Sequence, residues 1–471
     1  MPVLKTLTLG CKVNQYETEY VRQGLARVGY REARNGEAAD LCVVNTCTVT
    51  ADGDAKSRKA IRHFARENPG AEIIVMGCYA ARAPGEAAAL PGVVEVIADK
   101  RELPELLARR GVIDVPSGIA TFGRRHRAYV KVQDGCRMAC SFCIIPLVRP
   151  HLESRPVEHV LDEVRRLVHH GHREIVLTGI HLGHYGMGGE QESGVRNQGS
   201  GVKAQGSGVR GIVAAGGSPW GVAAPSRTRT QWTGESQCNL AGLVRRLADL
   251  PGEFRLRISS IEASEATPEL LSVMADRPDR ICPHLHLSMQ SGSDAVLRRM
   301  RRRQTAAEFL AQCDRARRAL DHPALTTDVI VGFPGETDED FAATCRAVES
   351  AGFSKLHVFR FSPRRGTPAA ELPDQVPEPI KRRRAAELSA LGDRLRRAYF
   401  QSLLGRPLQV LVETPVETHA GRLRGTAARY VPVELAGDDR LLGRLVTVTA
   451  HRTSGGRIQG KKPGNPSPRG V

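Results

Sequence analysis

Short apolar runs alternate with amphipathic stretches along this chain, and the alternation starts twice. The first hundred or so residues carry the runs "LKTLTLG", "DLCVVNT", "AEIIVMG" and "VVEVIAD", parted by helical stretches such as "DAKSRKAIRHFAREN". Strands separated by helices pair in parallel, because each helix carries the chain back to the starting edge. Residues 1–115 are therefore expected to form an open, flavodoxin-like α/β domain. From Arg127 a second series begins: "RAYVKVQ", "REIVLTG", "FRLRISS", "HLHLSMQ", "LTTDVIVGF" and "KLHVFRF". Between the first two of these, Val157, Val160, Leu161, Val164, Leu167 and Val168 fall on one helical face. Six such units predict a partial (β/α)6 TIM-type barrel over residues 122–395, with its chemistry at the carboxyl ends of the strands.

Beyond a basic helix, "IKRRRAAELSALGDRLRRAYFQSLLG", the texture changes to short alternating runs with glycine turns, "LQVLVE", "GRLRGTAARYVPVEL" and "GRLVTVTAH". These predict a small β-barrel over residues 400–460. The end, "GGRIQGKKPGNPSPRGV", has few apolar groups and reads as a flexible basic tail, disordered over 461–471. Residues 188–235 belong to neither series. They are rich in Gly, Ser, Gln and Thr and repeat "SGVR", "SGVK", "SGVR", the composition of a flexible insertion rather than of a packed element.

The chain has 471 residues, with 68 Lys and Arg against 51 Asp and Glu, a net charge of +17 that favours a polyanionic partner. The start, "MPVLKTLTLGCKVNQYETE", lacks the apolar core of a secretory signal, and no run is long enough to span a membrane. The expected setting is the cytoplasm, with no membrane partner. There, eleven cysteines read as metal ligands, catalytic groups or buried thiols rather than as disulfides.

Six of them stand out. Cys11, Cys47 and Cys78 each fall just past a predicted parallel strand, at the edge where ligands of open α/β sheets bind. Cys42 lies inside its strand and reads as a small buried hydrophobe. In "DGCRMACSFCIIP", Cys136, Cys140 and Cys143 are spaced C-x3-C-x2-C directly after the first barrel strand. A disulfide would strand one of these three thiols. A zinc site would need a fourth ligand such as His181 or His184. A [4Fe–4S] cube held by three thiolates keeps one iron free, and Phe142, Ile144, Ile145 and Leu147 would shield it from water.

"CRMACSFC" resembles the signature of radical S-adenosylmethionine (SAM) enzymes, and the chain resembles the methylthiotransferases of that superfamily from end to end, apart from the insertion and the tail. "LGCKVNQYETE", "NTCTVT", "LTGIHLGHYG", "RISSIE", "HLHLSMQSGSDAVLRRMRR" and "TTDVIVGFPGETDEDF" are similar to the motifs of the MtaB-like group, which acts on N6-threonylcarbamoyladenosine 37 of tRNA. The relatives that modify isopentenyladenosine usually carry a "GCQMN"-like run in place of the first.

The resemblance implies a radical SAM barrel and a C-terminal RNA-binding TRAM domain. It implies two [4Fe–4S] clusters, one held by Cys136, Cys140 and Cys143 to cleave SAM to a 5′-deoxyadenosyl radical, the other held by Cys11, Cys47 and Cys78 to deliver sulfur. A second SAM would supply the methyl group, giving the 2-methylthio nucleoside. Phe142, Gly179, Ser260, Glu262 and Gln290 would lie near SAM, and Gly332 would let the backbone approach the nucleoside. The partners implied are the tRNA anticodon loop, an electron donor such as flavodoxin or ferredoxin, and a sulfur source. Arg298, Arg299, Arg301, Arg302 and Arg303, with Lys381 through Arg384 and the TRAM-like segment, would follow the tRNA backbone. Two other substrates, isopentenyladenosine in tRNA or a ribosomal protein, fit the same reaction. A zinc-stabilised RNA-binding protein without catalysis is the reading from a different class.

Overall fold

The computed structural model describes residues 1–123, 125–187, 238–417, 419 and 421–461, so the repeat-bearing insertion and the tail beyond 461 lie outside the described residues. The first domain is a five-stranded parallel sheet built from β1 (Val3–Thr8), β2 (Arg31–Glu32), β3 (Leu41–Thr46), β4 (Glu72–Gly77) and β5 (Val93–Ile97), in the order β2-β1-β3-β4-β5. That is the flavodoxin-type order, in which the chain reverses direction across the sheet between β1 and β3 and leaves a crevice at their carboxyl ends. Every side chain of β3 is buried, as a central strand covered on both faces requires.

The second series supplies β6 (Arg127–Asp134), β7 (Glu153–Ser154), β8 (Glu174–Gly179), β9 (Arg255–Ile258), β10 (Ser260–Ile261), β11 (His284–Leu287), β12 (Ala324–Val331) and β13 (Lys355–Arg360). β9 and β10 are one strand broken at Ser259. The first part pairs with β8 and the second with β11, so the sheets β7-β6-β8-β9 and β10-β11-β12-β13 join edge to edge. The six parallel strands make the partial barrel, and the helix Val157–His169 covers it with Val160, Leu161, Val164 and Leu167. The short β7, antiparallel to β6, returns from the cysteine loop.

The long helix Glu378–Ser402 leads into a closed five-stranded barrel of β14 (Pro407–Pro415), β15 (Arg422–Ala427), β16 (Pro432–Ala436), β17 (Leu445–Ser454) and β18 (Arg457–Lys461). β18 corrects the expectation that everything from Gly455 onward is flexible tail. Ile458 is fully buried in the small barrel's core, and β18 pairs with both β16 and β17, so one apolar residue is enough when two neighbouring strands offer free edges.

This small barrel docks on the amino ends of the large barrel's strands through charge. Glu174, fully buried, forms ion pairs with Arg127 at 2.7 Å, Arg255 at 2.6 Å and Arg257 at 2.8 Å. Arg255 also donates to the carbonyls of Gln409 and Thr426, and Arg257 to that of Ala428, each within 2.9 Å. The three guanidiniums outweigh burial and hold the Glu174 carboxyl well below its ordinary pKa.

Candidate active site

The three N-terminal cysteines come from neighbouring strands. Cys11 follows β1 and opens the helix Lys12–Arg27, Cys47 follows β3, and Cys78 follows β4. Gly77 makes the last of these turns possible. Its φ of +97° is costly for any residue with a Cβ, and a Cβ there would sit 2.3 Å from the Asn45 Oδ1 and 2.4 Å from the Thr46 carbonyl oxygen. The thiols share one electrostatic environment. Cys78 acts on both Cys11 and Cys47, and a Cβ on Gly10 would lie 3.3 Å from the Cys47 sulfur. Cys11 is open to solvent but sits in a recess whose protein walls push its thiol pKa up, opposed by the nearby Arg149. Cys42 is fully buried within β3.

The barrel cysteines lie beyond the carboxyl end of β6. Gly135, with φ +77°, turns the chain where a Cβ would strike the His151 carbonyl oxygen at 1.9 Å, so β7 can close over the loop. Burial raises the Cys140 thiol, and pushes Cys143 up to about 12. A metal needs these groups as thiolates, and N–H donors are already aimed at the sulfurs. The Met138 backbone N–H points to Cys136 at 3.4 Å, and Arg302 Nη1 to Cys140 at 3.8 Å. Three thiols on one short loop, each acting electrostatically on its neighbours and with cationic and amide donors beside them, fit an iron–sulfur cluster.

His181 Nδ1 approaches the Cys136 sulfur at 3.4 Å, within hydrogen-bonding reach of a thiol or thiolate. Its Nε2 is held by Glu265 at 2.5 Å, and the His184 ring stacks on it at 3.6 Å. Burial alone would lower the His181 pKa, but the Cys136 sulfur and the Glu265 carboxylate outweigh it and hold it up at about 9.

Arg149 joins the two sets, and nothing in the spacing announces it. Its side chain is buried and donates to Glu17 at 2.8 and 2.9 Å, to Asp134 at 2.9 Å, to Asn14 at 3.0 Å and to the Cys78 sulfur at 3.5 Å. Its own carbonyl accepts from the Cys136 N–H at 3.3 Å. One residue of the barrel thus touches a cysteine of each set. Ile144 and Val148, from the loop after Cys143, pack on Cys78 in a small apolar cluster at the same seam.

The remaining expected site residues spread over the mouth. Phe142 packs beside Phe333 and Phe361. Gly179 ends β8 with no room for a Cβ beside Gln133, which accepts from the His181 N–H at 2.7 Å and donates to the Gly135 carbonyl at 2.7 Å. Glu262 pairs with Arg302, the same arginine that reaches Cys140. Gln290 holds a left-handed φ of +69° in the loop after β11, an uncommon conformation for a residue with a side chain. The space left by the missing Cβ of Gly332 is filled by the Lys381 stem, and its N–H is taken by Glu336.

The basic residues divide. Lys381 and Arg384 are not a surface for a phosphate backbone. Both are buried, Lys381 donating to the Phe361 carbonyl at 3.1 Å and Arg384 to Glu336 at 3.2 Å and Asp338 at 2.8 Å. Arg302 is turned inward as well, whereas Arg298, Arg301 and Arg303 are exposed. Both runs look uniform in sequence, but the 3.6-residue period of the helix Glu378–Ser402 turns Lys381 and Arg384 inward, and Arg302 turns inward where the chain leaves the helix Asp294–Arg299 through Arg301 at φ +57°.

Inside the barrel, Ser260 borders a cavity of about 230 Å³. The strands contribute His286, Asp328 and His357 on β11, β12 and β13, whose ring nitrogens and carboxylate lie within 4.8 Å of one another. The N-terminal domain contributes Lys12, and the C-terminal barrel Tyr430, whose ring lies under Arg257 at 4.8 Å. All three domains therefore wall one lumen.

Comparison with known proteins agrees with this architecture. Residues 130–197 and 230–348 match the radical SAM superfamily, and residues 4–99 match an uncharacterized protein family, UPF0004. The fold resembles TsrM, a radical SAM methyltransferase of Kitasatospora setae, with a TM-score of 0.50 over 78% of this chain and 77% of that one at 13% identity. The protein is a radical SAM enzyme, a class defined by SAM and a [4Fe–4S] cluster.

Relatives narrow the class. The threonylcarbamoyladenosine tRNA methylthiotransferases MtaB of Bacillus subtilis and Thermotoga maritima are 37% and 35% identical to it, over 94% and 93% of this chain and 92% of each relative. A tRNA-2-methylthio-N(6)-dimethylallyladenosine synthase of Corynebacterium urealyticum is 33% identical over 94% of this chain and 79% of its own. The chain belongs to the methylthiotransferase family of radical SAM enzymes and acts on tRNA. No helix among the described residues is long and apolar enough to cross a membrane.

Proposed function

We propose that this enzyme inserts sulfur at C2 of N6-threonylcarbamoyladenosine 37 in tRNA and methylates it to the 2-methylthio derivative, in the cytoplasm. The observation that carries the two-centre reading is the contact of Arg149 with both cysteine sets across one buried seam. Cys136, Cys140 and Cys143 would hold the cluster beside SAM, and Cys11, Cys47 and Cys78 a second one. Bound there, clusters and SAM supply the radical chemistry that removes hydrogen from an aromatic carbon, which no side-chain base can do.

The chain's own work is to bind and to exclude. Arg302, paired with Glu262, keeps a positive charge beside Cys140. Gln133 fixes the loops after β6 and β8 to one another, which sets the spacing between Cys136 and Gly179. Gly179, Ser260, Glu262 and Gln290 lie where SAM would cross the strand ends. Phe142 and Ile144 keep water from the thiolates. The anticodon loop is the expected tRNA contact, with an external electron donor such as flavodoxin or ferredoxin and a separate sulfur source.

The test separates the two sets. With reconstituted enzyme, Cys140→Ala is expected to abolish SAM cleavage, whereas Cys47→Ala keeps cleavage and loses sulfur insertion, with iron falling from about eight to about four atoms per chain. Mass analysis of nucleosides from tRNA of a deletion strain identifies the substrate by which adenosine derivative loses its methylthio group. Retention of sulfur insertion by Cys47→Ala refutes the second centre.

A further inference from the structure

The lumen cavity is more cationic than the chemistry at the cysteines requires, and its cations are not equivalent. Arg127 and Arg257 each have Glu174 as an ion-pair partner, and Arg257 also donates to the carbonyls of the C-terminal barrel. Lys12 differs. It is half-buried, yet its ammonium has no hydrogen-bond or ion-pair partner among the described residues. It directly follows Cys11, so it enters the lumen from the side of the N-terminal cysteines. Lys355 also lines the cavity without a partner, but it is exposed at the edge. A charge withdrawn from water without a partner is unfavourable unless something supplies the opposite charge.

His286, Asp328 and His357 could in shape hold a divalent cation. A dication there would stand beside Lys12, Arg127 and Arg257 with a single carboxylate in its favour, which argues for an anionic guest instead. The volume, about 230 Å³, is smaller than pockets that enclose a whole drug-sized ligand and suits a substituent of a larger one.

We propose that this cavity receives the threonylcarbamoyl arm of the nucleoside and that Lys12 pairs with its carboxylate, an inference that rests on the substrate assigned above. Asp328, with His286 Nε2 at 3.3 Å, faces the arm's hydroxyl and urea N–H donors. A dimethylallyl arm carries neither charge nor hydrogen-bonding atoms. It would desolvate Lys12 and Asp328 and return nothing, so the same two residues that hold one substrate exclude the other.

The experiment measures Kd for three anticodon stem-loops on the reconstituted enzyme by fluorescence anisotropy. They carry threonylcarbamoyladenosine, its neutral methyl ester, or dimethylallyladenosine at position 37. Wild type is expected to prefer the free carboxylate over the ester by about tenfold or more. K12Q is expected to bring that ratio close to one, K12R to keep most of it, and K355Q to leave it largely intact. Because the ratio is taken within each variant, a general loss of affinity does not imitate the result. A ratio that survives K12Q, or collapses only in K355Q, overturns the role of Lys12 while the substrate assignment stands. Wild type that prefers the dimethylallyl stem-loop overturns both.

Discussion

Glu174→Gln removes one negative charge and almost no volume from the joint between the two barrels. Gln at that position still reaches the three guanidiniums with one oxygen, but Arg127, Arg255 and Arg257 are left without their shared anion. Two of them are essentially enclosed, with 1% and 3% of their side chains exposed. Loss of one partner from a buried ion pair costs about 3–5 kcal/mol. Arg127 has a partial outlet in Glu413 at 3.3 Å, whereas Arg255 and Arg257 have only carbonyls, so a value in the middle of that range, about 4 kcal/mol, is expected.

A chain of several domains does not unfold in one step, so the loss should be read locally. Hydrogen exchange of peptides from β14 and β15 should report the opening free energy of the joint, and those amides should exchange about a thousandfold faster in the variant. The pH dependence follows from the depressed Glu174 pKa. Its folded value lies well below the unfolded value of about 4.3, so its stabilisation is complete above that value and lost only as pH falls through the folded pKa. Wild type should therefore hold the joint at pH 4, and the variant's deficit should shrink only in stronger acid. A deficit under about 1 kcal/mol, or one equally large at all pH values down to 2, refutes the account.

Two further substitutions probe the cysteine sites. Gly77→Ala forces a Cβ against Asn45 and the Thr46 backbone at a φ only glycine tolerates well, so iron content should drop by about half while SAM cleavage persists; full iron content would show that the turn can relax. Arg302→Gln withdraws the cation between Glu262 and Cys140, leaving a carboxylate unpaired beside the sulfur. Its expected effect is at least a tenfold loss of SAM cleavage with a shifted cluster absorption spectrum, and an unchanged spectrum would place Arg302 outside the site.

Much of this was legible because parallel α/β architecture writes itself twice in sequence, once as apolar runs and once as helices between them. Each of the six barrel strands falls on a run of its own, and each of Cys11, Cys47 and Cys78 follows a strand because strand ends are marked by where the apolar run stops. What stayed hidden depends on distance in three dimensions. Arg149 is an ordinary arginine before a proline until the fold sets Glu17 and Asn14 of another domain against it. Glu174 looks like the polar first residue of a strand, and only Arg255 and Arg257, some eighty positions later, make it a hinge of charge. Ile458 failed as a signal for the opposite reason, because a single buried side chain gives no periodicity to detect.

The seam at Arg149 also bears on why these domains share one chain. Glu17 lies on the helix that begins at Lys12, and Asp134 lies two residues before Cys136, so the guanidinium that satisfies both carboxylates ties the start of one cysteine site to the start of the other. Lys131 shares the same two carboxylates at 3.1 and 2.8 Å, so two cations face two anions in a largely buried interface. Such a set is poorly tolerant of sliding, since a shift of an ångström would strand a buried charge. A hydrophobic seam of equal area would hold the domains together but would permit many registers. Charge pairing selects one, and in that one Lys12 enters the lumen while Cys78 rests against Ile144 and Val148.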